Sequence, residues 1–415
     1  MRKKKELVHY LLASITIFFT LAMVAFPKDS FEAAVSGLEV WWNVVFPALL
    51  PFFVISQVLI GLGVVHMMGV FLEPLMRPLF NVPGTGSFVM AMGLASGFPI
   101  GAILTAELRS RNLCSRVEAE RLVSFTNTAD PLFMFGAVAV GMLNYPPAGL
   151  VITIAHYLSS IVLGFMMRFY RRRETGSTEP IAGRGRLIRL ACTTLREARE
   201  KDGRPLGRLM GDALRESINT LLLIGGFIIL FSVVIRILGI IGITGTISGY
   251  LAIVVKAIGL SPELAPALVS GFFEIDLGCQ YVGLLTSVPI IDKTIVCGVI
   301  IAWSGLSVHA QVASINAGTD IRILPFMIAR IIQALLAGLF TVILLVGPGA
   351  RWLTNLAVPA ILNTVPRGSF SFWGLRFSYM LNRLALLFVV LLMLAILFYL
   401  FRQIRLAWLY RRKTF

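Results

Sequence analysis

Acidic residues are scarce in this sequence. Of its 415 residues only 21 are Asp or Glu, and charged residues of both signs make up 14% of the chain. Soluble domains carry about 25%. The hydrophobic share is 57%, and because the surface-to-volume ratio falls only slowly with chain length, a water-soluble fold of this size cannot hide so much apolar surface. The composition therefore excludes a soluble globular protein and predicts a polytopic membrane protein in a lipid bilayer.

Cysteine is also rare, and catalytic motifs are missing. The cysteines, Cys114, Cys192, Cys279 and Cys297, form no CxxC pair, so neither a disulfide framework nor a zinc site is indicated. The sequence contains no HExxH motif, no GxSxG motif and no P-loop. We therefore predict a protein without metal or cofactor that is not an enzyme and does not hydrolyse ATP.

The net charge of +16 has two interpretations, since a basic protein binds either nucleic acid or an anionic membrane surface. The basic residues cluster between apolar runs, at Arg2 to Lys5, Arg109 to Arg121, the stretch 168–215 and Arg411 to Lys413. Cytoplasmic loops of membrane proteins collect such residues. We therefore predict no nucleic-acid partner and cytoplasmic N and C termini. The stretch 168–215 shows no apolar periodicity and is interpreted as a linker.

Unbroken apolar runs of about 20 residues are long enough to span a bilayer. They occur at residues 7–26, 40–62, 150–169, 218–238, 324–346 and 384–401, with shorter helices expected at 64–80 and 247–260. The first run follows a basic flank and is longer than the apolar core of a signal peptide. We therefore predict an uncleaved N-terminal anchor.

Four further apolar segments are interrupted in the middle by Gly, Pro or polar residues. The interruptions are GLASGFPIGA in 87–108, SFTNTADP in 122–143, SGFFEIDLG in 262–285 and WSGLSVHAQ in 295–315. Gly permits a tight reversal and Pro ends a helix. Non-helical backbone at membrane depth is tolerated only where it is buried in protein or lines a cavity. We therefore predict two re-entrant hairpins and two discontinuous helices around a midplane site.

The interruptions recur in the same order in each half of the chain. The tip 96–98 corresponds to 270–272, and 126–131 corresponds to 304–309. Loop charges place the first hairpin on the cytoplasmic side and the second outside. We therefore predict an all-α fold of two inverted-topology repeats, the architecture of secondary transporters. Its predicted parts are an anchor (1–37), a first repeat (38–169), a basic linker (170–215), a second repeat (216–347), and an external loop, last span and basic tail (348–415).

Residues at the interruptions are the candidates for substrate binding. Half-helix N-termini present N–H groups and a positive dipole end, which suit a carboxylate. The alternative is that the polar side chains only satisfy backbone groups freed at each break. The candidates are Ser96, Gly97, Phe98, Thr126, Asn127, Thr128, Ser270, Gly271, Phe272, Trp303 and Ser304.

Three acids lie inside apolar segments, where ionisable residues are costly and tend to serve a function. They are Asp130, Glu274 and Asp276. His309 joins them as a candidate, because histidine titrates near neutral pH. We predict that these four residues couple transport to a proton or a cation. The alternatives are a surface turn for the acids and a carbonyl hydrogen bond for His309.

Four motifs resemble the YlbJ (SpoVV) family of sporulation integral membrane proteins of spore-forming Firmicutes. They are FPALLPFFVISQVLIGLG, GVFLEPLMRPLFNVPG, ASGFPIGA and RLVSFTNTADPLF. The similarity runs over nearly the whole chain. The family contains the Gate, or nucleoside-recognition, domain, which is similar to part of the concentrative nucleoside transporters.

The resemblance implies a role in late spore development, in which dipicolinic acid moves across the outer forespore membrane from mother cell toward forespore. The Ser-Gly-Phe tips would then hold the carboxylates of this planar dianion, and Phe98, Phe272 and Trp303 would stack on its ring. The three acids fit a dianion only if they are protonated or paired with a cation. The alternatives are a nucleoside or ion carrier, a structural protein of spore assembly and, least favoured, a membrane enzyme. Such a fold is compatible with a homo-oligomer.

Overall fold

The structure, a computed structural model, describes residues 2–64, 66–67, 70, 76–172 and 187–346. All of them belong to one unit, Met1–Leu353. Regular structure in these ranges is helical, without a strand. The predicted last span at 384–401, the basic tail and much of the predicted short helix 64–80 lie outside the described residues.

The chain begins with two helices that meet at a sharp bend. Helix α1 covers Arg2–Ala25 and α2 covers Pro27–Val40, and the segments on either side of the bend lie at 102° to each other. A short π-helical turn, Trp41–Val45, leads into α3, Phe46–Gly61. The sequence predicts the second helix from residue 40, but the structure starts it at Pro27. Proline suits the first turn of a helix, where its missing N–H leaves no bond unmade.

The first half then forms two interrupted helix pairs and one long helix. The elements are α4 (Gly86–Ser96), α5 (Ile100–Ser110), α6 (Arg116–Thr126), α7 (Phe133–Met142, which is wound as a π-helix) and α8 (Pro147–Met167). Both gaps fall at the interruptions predicted from the sequence. Helix α6 starts with a capping box, because the Ser115 hydroxyl accepts from the Glu118 N–H while the Glu118 carboxylate accepts from the Ser115 N–H.

The polar stretch between the halves contains a helix that the sequence did not predict. Helix α9 covers Leu187–Asp202, and α10 covers Leu206–Ile240. The expected lack of apolar periodicity in 168–215 is therefore wrong for residues 187–202, where Ala191 is buried. Helix α9 packs on the chain just after α3, since a Cβ added to Gly63 would collide with the carbonyl oxygen of Leu195.

The second half repeats the order of elements. Helix α11 (Ile243–Ala257) and a 3-10 turn (Pro262–Leu264) precede α12 (Ala265–Phe273), α13 (Ile275–Leu284), α14 (Ile290–Trp303), α15 (Gly305–Asn316) and α16 (Ile323–Val346). The gaps at Glu274 and at Ser304 again fall at predicted interruptions. The inverted orientation of the two halves in a membrane stays a prediction.

Long apolar helices surround these gaps. Within the described ranges, α8, α10, the α14–α15 pair and α16 are each long and apolar enough to cross a membrane, and the bent α1–α2 pair adds a fifth if it counts as one span. Helix α16 packs against α8 and α14, and α10 packs along α2 and α3. Trp41, in the turn between α2 and α3, stabilises the packing of α10 on these helices, since its Nε1 donates to Leu221 O of α10 at 2.8 Å. The chain is therefore a polytopic all-α membrane protein, as predicted.

Ion pairs between the halves mark one end of the molecule. Arg109 Nε lies 2.7 Å from Asp320 Oδ1, and Arg322 Nε lies 2.7 Å from Glu120 Oε1. Glu120 also accepts from the Tyr170 hydroxyl at 3.0 Å. The loops that follow α5, α8 and α15 therefore meet at one end. This is the arrangement expected if all three are cytoplasmic, although the side of the membrane stays a prediction.

Candidate functional site

The two interruptions of the first half fit against each other at Gly97 and Asp130. Gly97 has φ +72°, a conformation that favours glycine. A Cβ at this position would lie 2.6 Å from Asp130 Oδ2. Asp130 is 4% exposed, and its Oδ1 accepts from the backbone N–H groups of Leu132 and Phe133, each at 2.9 Å. Asp130 thus places a carboxylate at the positive end of α7.

Asn127 and Thr128 tie the same two interruptions together. Asn127 Oδ1 accepts from Ala102 N, in the first turn of α5, at 3.3 Å. Thr128 Oγ1 donates to Gly93 O, in α4, at 3.2 Å, and Thr126 Oγ1 donates within α6. All three candidate side chains are fully buried. In this structure they satisfy backbone groups at the breaks.

The interruptions of the second half meet in a similar way. Helices α12 and α13 pack on each other around Glu274, whose backbone is extended. Ser304, between α14 and α15, lies in the left-handed region with φ 70°. A Cβ on Gly305 would lie 3.0 Å from Phe273 O and 3.2 Å from Glu274 Cα. The break in the α14–α15 span therefore rests on the turn of the α12–α13 hairpin.

A cavity joins the interruptions of the two halves. Its volume is about 50 Å³, enough for a few water molecules. Apolar side chains of α3 and α10, together with Phe98, form much of its wall. The polar part of the wall consists of Asp130 from the first half and Glu274, Asp276, Ser307 and Gln311 from the second. The structure thus brings the three predicted acids to one place.

The other aromatic candidates lie away from this cavity. Phe272 and Trp303 stack with ring centroids 5.3 Å apart and an interplanar angle of 6°, and Phe272 is 46% exposed. Trp303 Nε1 donates to Phe272 O at 2.9 Å. His309 packs on Trp303, and its Nδ1 donates to Gly305 O at 2.6 Å. Stacking of Phe98, Phe272 and Trp303 on one ring would therefore need a different conformation.

The remaining candidates are spread around the tips. Ser96 lines a second cavity of about 10 Å³ beside α10. Ser270 and Gly271 are buried in α12, and a Cβ on Gly271 would lie 2.7 Å from Ile300. Ser304 is buried as well. Among the substrate-binding candidates, Phe98 lines the cavity between the halves and Gly97 lies against Asp130 at its edge.

At the helix N-termini predicted to hold an anion, side chains of the protein itself accept hydrogen bonds from the backbone N–H groups. Asn127 Oδ1 accepts from α5, and Asp130 accepts from the start of α7. Glu274 caps α13 and accepts from Asp276 N at 3.5 Å. An anionic substrate would compete with these groups. At each Ser-Gly-Phe tip at least one N–H group of the following helix is therefore already paired in this conformation, and binding of a carboxylate there stays a prediction.

Arg330 is a buried residue at the site that the sequence analysis missed. It lies in α16, is fully buried, and donates from Nη1 to Asn127 O at 3.0 Å and from Nη2 to Ser124 O. These carbonyls belong to the C-terminal end of α6, where the helix dipole favours a cation. The available signal was an arginine inside an otherwise apolar span, since such residues tend to be functional.

The sequence analysis also missed two residues of α8, His156 and Tyr157. His156 Nε2 accepts from Ala129 N at 3.2 Å, and the Tyr157 hydroxyl donates to Leu94 O at 3.0 Å. Both side chains therefore hold the backbone of the first-half interruptions. The sequence predicts an unbroken span here, and a histidine within that span is the signal that points to this contact.

The ionic end of the molecule is held by charged carboxylates. Burial alone raises the pKa of Glu120, but hydrogen bonds from Arg322 and Tyr170 outweigh it, so that pKa lies below its ordinary value. The hydrogen bond from Arg109 likewise lowers the pKa of Asp320. Both carboxylates are therefore charged at neutral pH and keep the halves fastened at this end.

Fold and cavity together define a polytopic helical membrane protein in which two sets of interrupted helices enclose an acidic cavity. The Gate family model, described as nucleoside recognition, matches residues 42–169. The sporulation integral membrane protein YlbJ of Bacillus subtilis (strain 168) is 47% identical over 339 residues, which are 80% of this chain and 82% of that protein. The chain belongs to the YlbJ family of sporulation integral membrane proteins.

Solved structures of CNTnw show a weaker similarity. A variant in an outward-facing state matches 82% of this chain and 86% of that chain, at 12% identity and a TM-score of 0.45. The inward-facing substrate-bound state matches 82% of this chain and 87% of that chain, at 13% identity and a TM-score of 0.45. Similarity at this level does not by itself define a shared fold.

Proposed function

We propose that this protein is a secondary transporter that moves a small organic anion, dipicolinic acid, across the outer forespore membrane during sporulation by alternating access. The observation that carries the proposal is the cavity between the halves, with Asp130 on one side and Glu274 and Asp276 on the other. Buried ionisable groups at membrane depth are costly, and a purely structural membrane protein needs no gaps in its helices. Secondary transporters bind substrate where broken helices meet.

Family membership supports the cellular setting of this proposal. The relative from Bacillus subtilis carries sporulation and integral membrane location in its name. The resemblance noted in the sequence implies the outer forespore membrane and dipicolinic acid. A carrier for a spore solute agrees with both.

The chemistry of the cavity bears on the proposed substrate. Dipicolinate is planar and carries two negative charges. Phe98 offers it an aromatic wall, and Ser307 and Gln311 offer hydroxyl and amide groups. Carboxylates in the same cavity repel a dianion, strongly so where water is excluded. The proposal therefore requires that positive charge, as protons or a cation, enters with the substrate.

Uptake of labelled dipicolinate into vesicles that contain the purified full-length protein tests the proposal. We expect saturable uptake that protein-free vesicles lack. Gln311→Leu keeps the size of the side chain but removes its amide from the cavity wall, so it should lower uptake. Thr246→Val, on the exposed face of α11, should leave uptake unchanged. A folded, monodisperse wild-type protein that takes up no dipicolinate would contradict the proposed substrate.

Nucleoside transport is the second candidate, and the Gate match over residues 42–169 favours it. The same vesicles, supplied with a labelled nucleoside, separate the two substrates. Saturable nucleoside uptake without dipicolinate uptake would support the second candidate. Uptake of neither substrate by folded protein would favour a structural role in spore assembly.

A further inference from the structure

Glu274 and Asp276 form a pair of neighbouring acids at the turn of the α12–α13 hairpin. Each is 4% exposed, and both line the cavity between the halves. The backbone is extended at Glu274 and helical from Ile275 onward. Glu274 Oε1 accepts from the backbone N–H of Asp276 at 3.5 Å, and both side chains lie on the same wall of the cavity.

This pair has no cationic partner among the described residues. The ion pairs recorded there join other residues, and the groups that face the pair across the cavity are Asp130, Ser307 and Gln311. Cys279, one turn along α13, is the remaining titratable neighbour. The titratable groups that line the cavity beside the pair, or lie one turn along α13, are thus acids or a thiol, and His309 on α15 is engaged by Gly305 O. Two adjacent buried carboxylates cannot both hold a charge without compensation.

A second observation points to a ligand at this place. Ser307, on α15, is 1% exposed and lines the cavity, and its Oγ makes no hydrogen bond of good geometry to the described protein atoms. Asp276 Oδ1 is also buried and makes no hydrogen bond to the described protein atoms. Buried polar atoms are nearly always paired. Both atoms therefore have bonding capacity left for something bound in the cavity.

We propose that Glu274 and Asp276 together bind one proton, which is exchanged with water in the cavity and is carried across the membrane with the substrate. The proton forms a bond to a carboxylate oxygen of one acid, and the other acid accepts the resulting hydrogen bond. It is released to water when the cavity opens to the opposite side. The proton's transport role rests on the proposed carrier function, whereas its binding does not.

A proton suits this geometry better than a metal ion. Among the residues that the structure describes, no three His, Cys, Asp or Glu side chains are grouped so that they could hold a metal. A proton needs two adjacent oxygens, which the pair supplies. Coupling to a sodium ion, which need not be held by such a group, is the competing outcome of the test.

Infrared spectroscopy of the purified full-length protein in lipid nanodiscs tests proton binding without any transport. We expect a carbonyl band of a protonated carboxylic acid at neutral pH, which shifts in D₂O and disappears at alkaline pH. Glu274→Gln and Asp276→Asn should each remove intensity from this band. Glu32→Gln, at an exposed surface pair, should leave it intact. The absence of such a band in the wild type, which needs no variant to fold, would overturn the proposal, as would equal bands in all proteins.

Transport then tests the coupling. In vesicles, an inward proton gradient should raise dipicolinate accumulation by the wild type at least several-fold. Asp276→Asn should lose the response of accumulation to the gradient, whereas Thr246→Val, on the exposed face of α11, should keep it. Accumulation that follows a sodium gradient and ignores pH would overturn proton coupling. If the wild type moves no dipicolinate, the proposed function fails, and the infrared band still decides whether the pair binds a proton.

Discussion

Arg330 of α16 donates to the carbonyl oxygens of Ser124 and Asn127 at the end of α6. A buried cation from the second half thus terminates a half-helix of the first. Within the described residues no carboxylate forms an ion pair with Arg330, so the dipole of α6 and its terminal carbonyls provide the compensation. The break that holds Asn127 and Asp130 therefore depends on a contact between the halves.

Replacing Arg330 should destabilise the protein. Arg330→Gln leaves carbonyls without their charged donor, which should cost about 2–4 kcal/mol. Arg330→Lys should cost less, because its ammonium can reach one carbonyl but lacks the fork that spans both. Thermal unfolding of detergent-purified protein, followed by tryptophan fluorescence, measures the loss. Arg236→Gln is the control, since the Arg236–Asp29 pair is exposed and should cost less than about 1 kcal/mol. Equal losses of stability in Arg330→Gln and Arg236→Gln would argue against a stabilising contact between Arg330 and the end of α6.

Gly97→Ala tests the contact between the first hairpin and the α6–α7 interruption. The added Cβ would lie 2.6 Å from Asp130 Oδ2, in a backbone conformation with φ +72°. We expect a loss of about 1–3 kcal/mol from overpacking. Gly245→Ala is the matched control, because a Cβ there meets nothing within 4 Å and lies in α11, where alanine is favoured over glycine by about 0.5–1 kcal/mol. A Gly97→Ala protein as stable as wild type would show that this fit is loose.

Asp130 can be tested for its cap and its charge separately. Asp130→Asn keeps an oxygen that accepts from Leu132 N and Phe133 N, so its stability should stay close to wild type, since Asn and Asp are equivalent caps. Asp130→Ala removes the acceptor and should cost about 1 kcal/mol. If Asp130 serves only to cap α7, uptake by Asp130→Asn should show the same pH dependence as uptake by the wild type. A shifted pH profile would add Asp130 to the proton site.

The positions of the helix breaks were predictable from the sequence, but their partners were not. Gly, Pro and polar residues interrupt an apolar run visibly, as at Ser304 and at Thr126–Pro131, because such residues end helices. Which side chains satisfy the freed backbone depends on helices distant in sequence. Arg330 lies 203 residues from Asn127, and no local pattern links the two. The same limit explains Phe272 and Trp303, which the sequence placed at breaks but could not orient toward or away from the cavity.

Helix α9 was missed for a different reason. Its many charges resemble a solvated linker, although its apolar residues recur at the helical period and form one face. The contact that holds it, between Leu195 and Gly63, again joins segments far apart in the chain. The local pattern therefore indicated a helix in this segment, whereas its packing partner could not be read from the sequence.

Low pH should weaken the contact that the Glu120 carboxylate makes between the two halves. Its carboxylate accepts from Arg322 and Tyr170, and these bonds hold its pKa below the ordinary value. The unfolded chain therefore binds a proton at higher pH than the folded protein does, and the stabilisation is full above about pH 4.5 and is lost as pH falls through the lowered pKa. Glu120→Gln removes the charge at every pH and should cost about 1–3 kcal/mol at neutral pH. Thermal unfolding of both proteins between about pH 3 and pH 7 measures the difference, which should shrink toward the acid end. Asp320→Asn, whose pair with Arg109 is more exposed, should show a smaller effect of the same sign. A difference between Glu120→Gln and wild type that does not change with pH would show that the carboxylate's charge does not fasten this end.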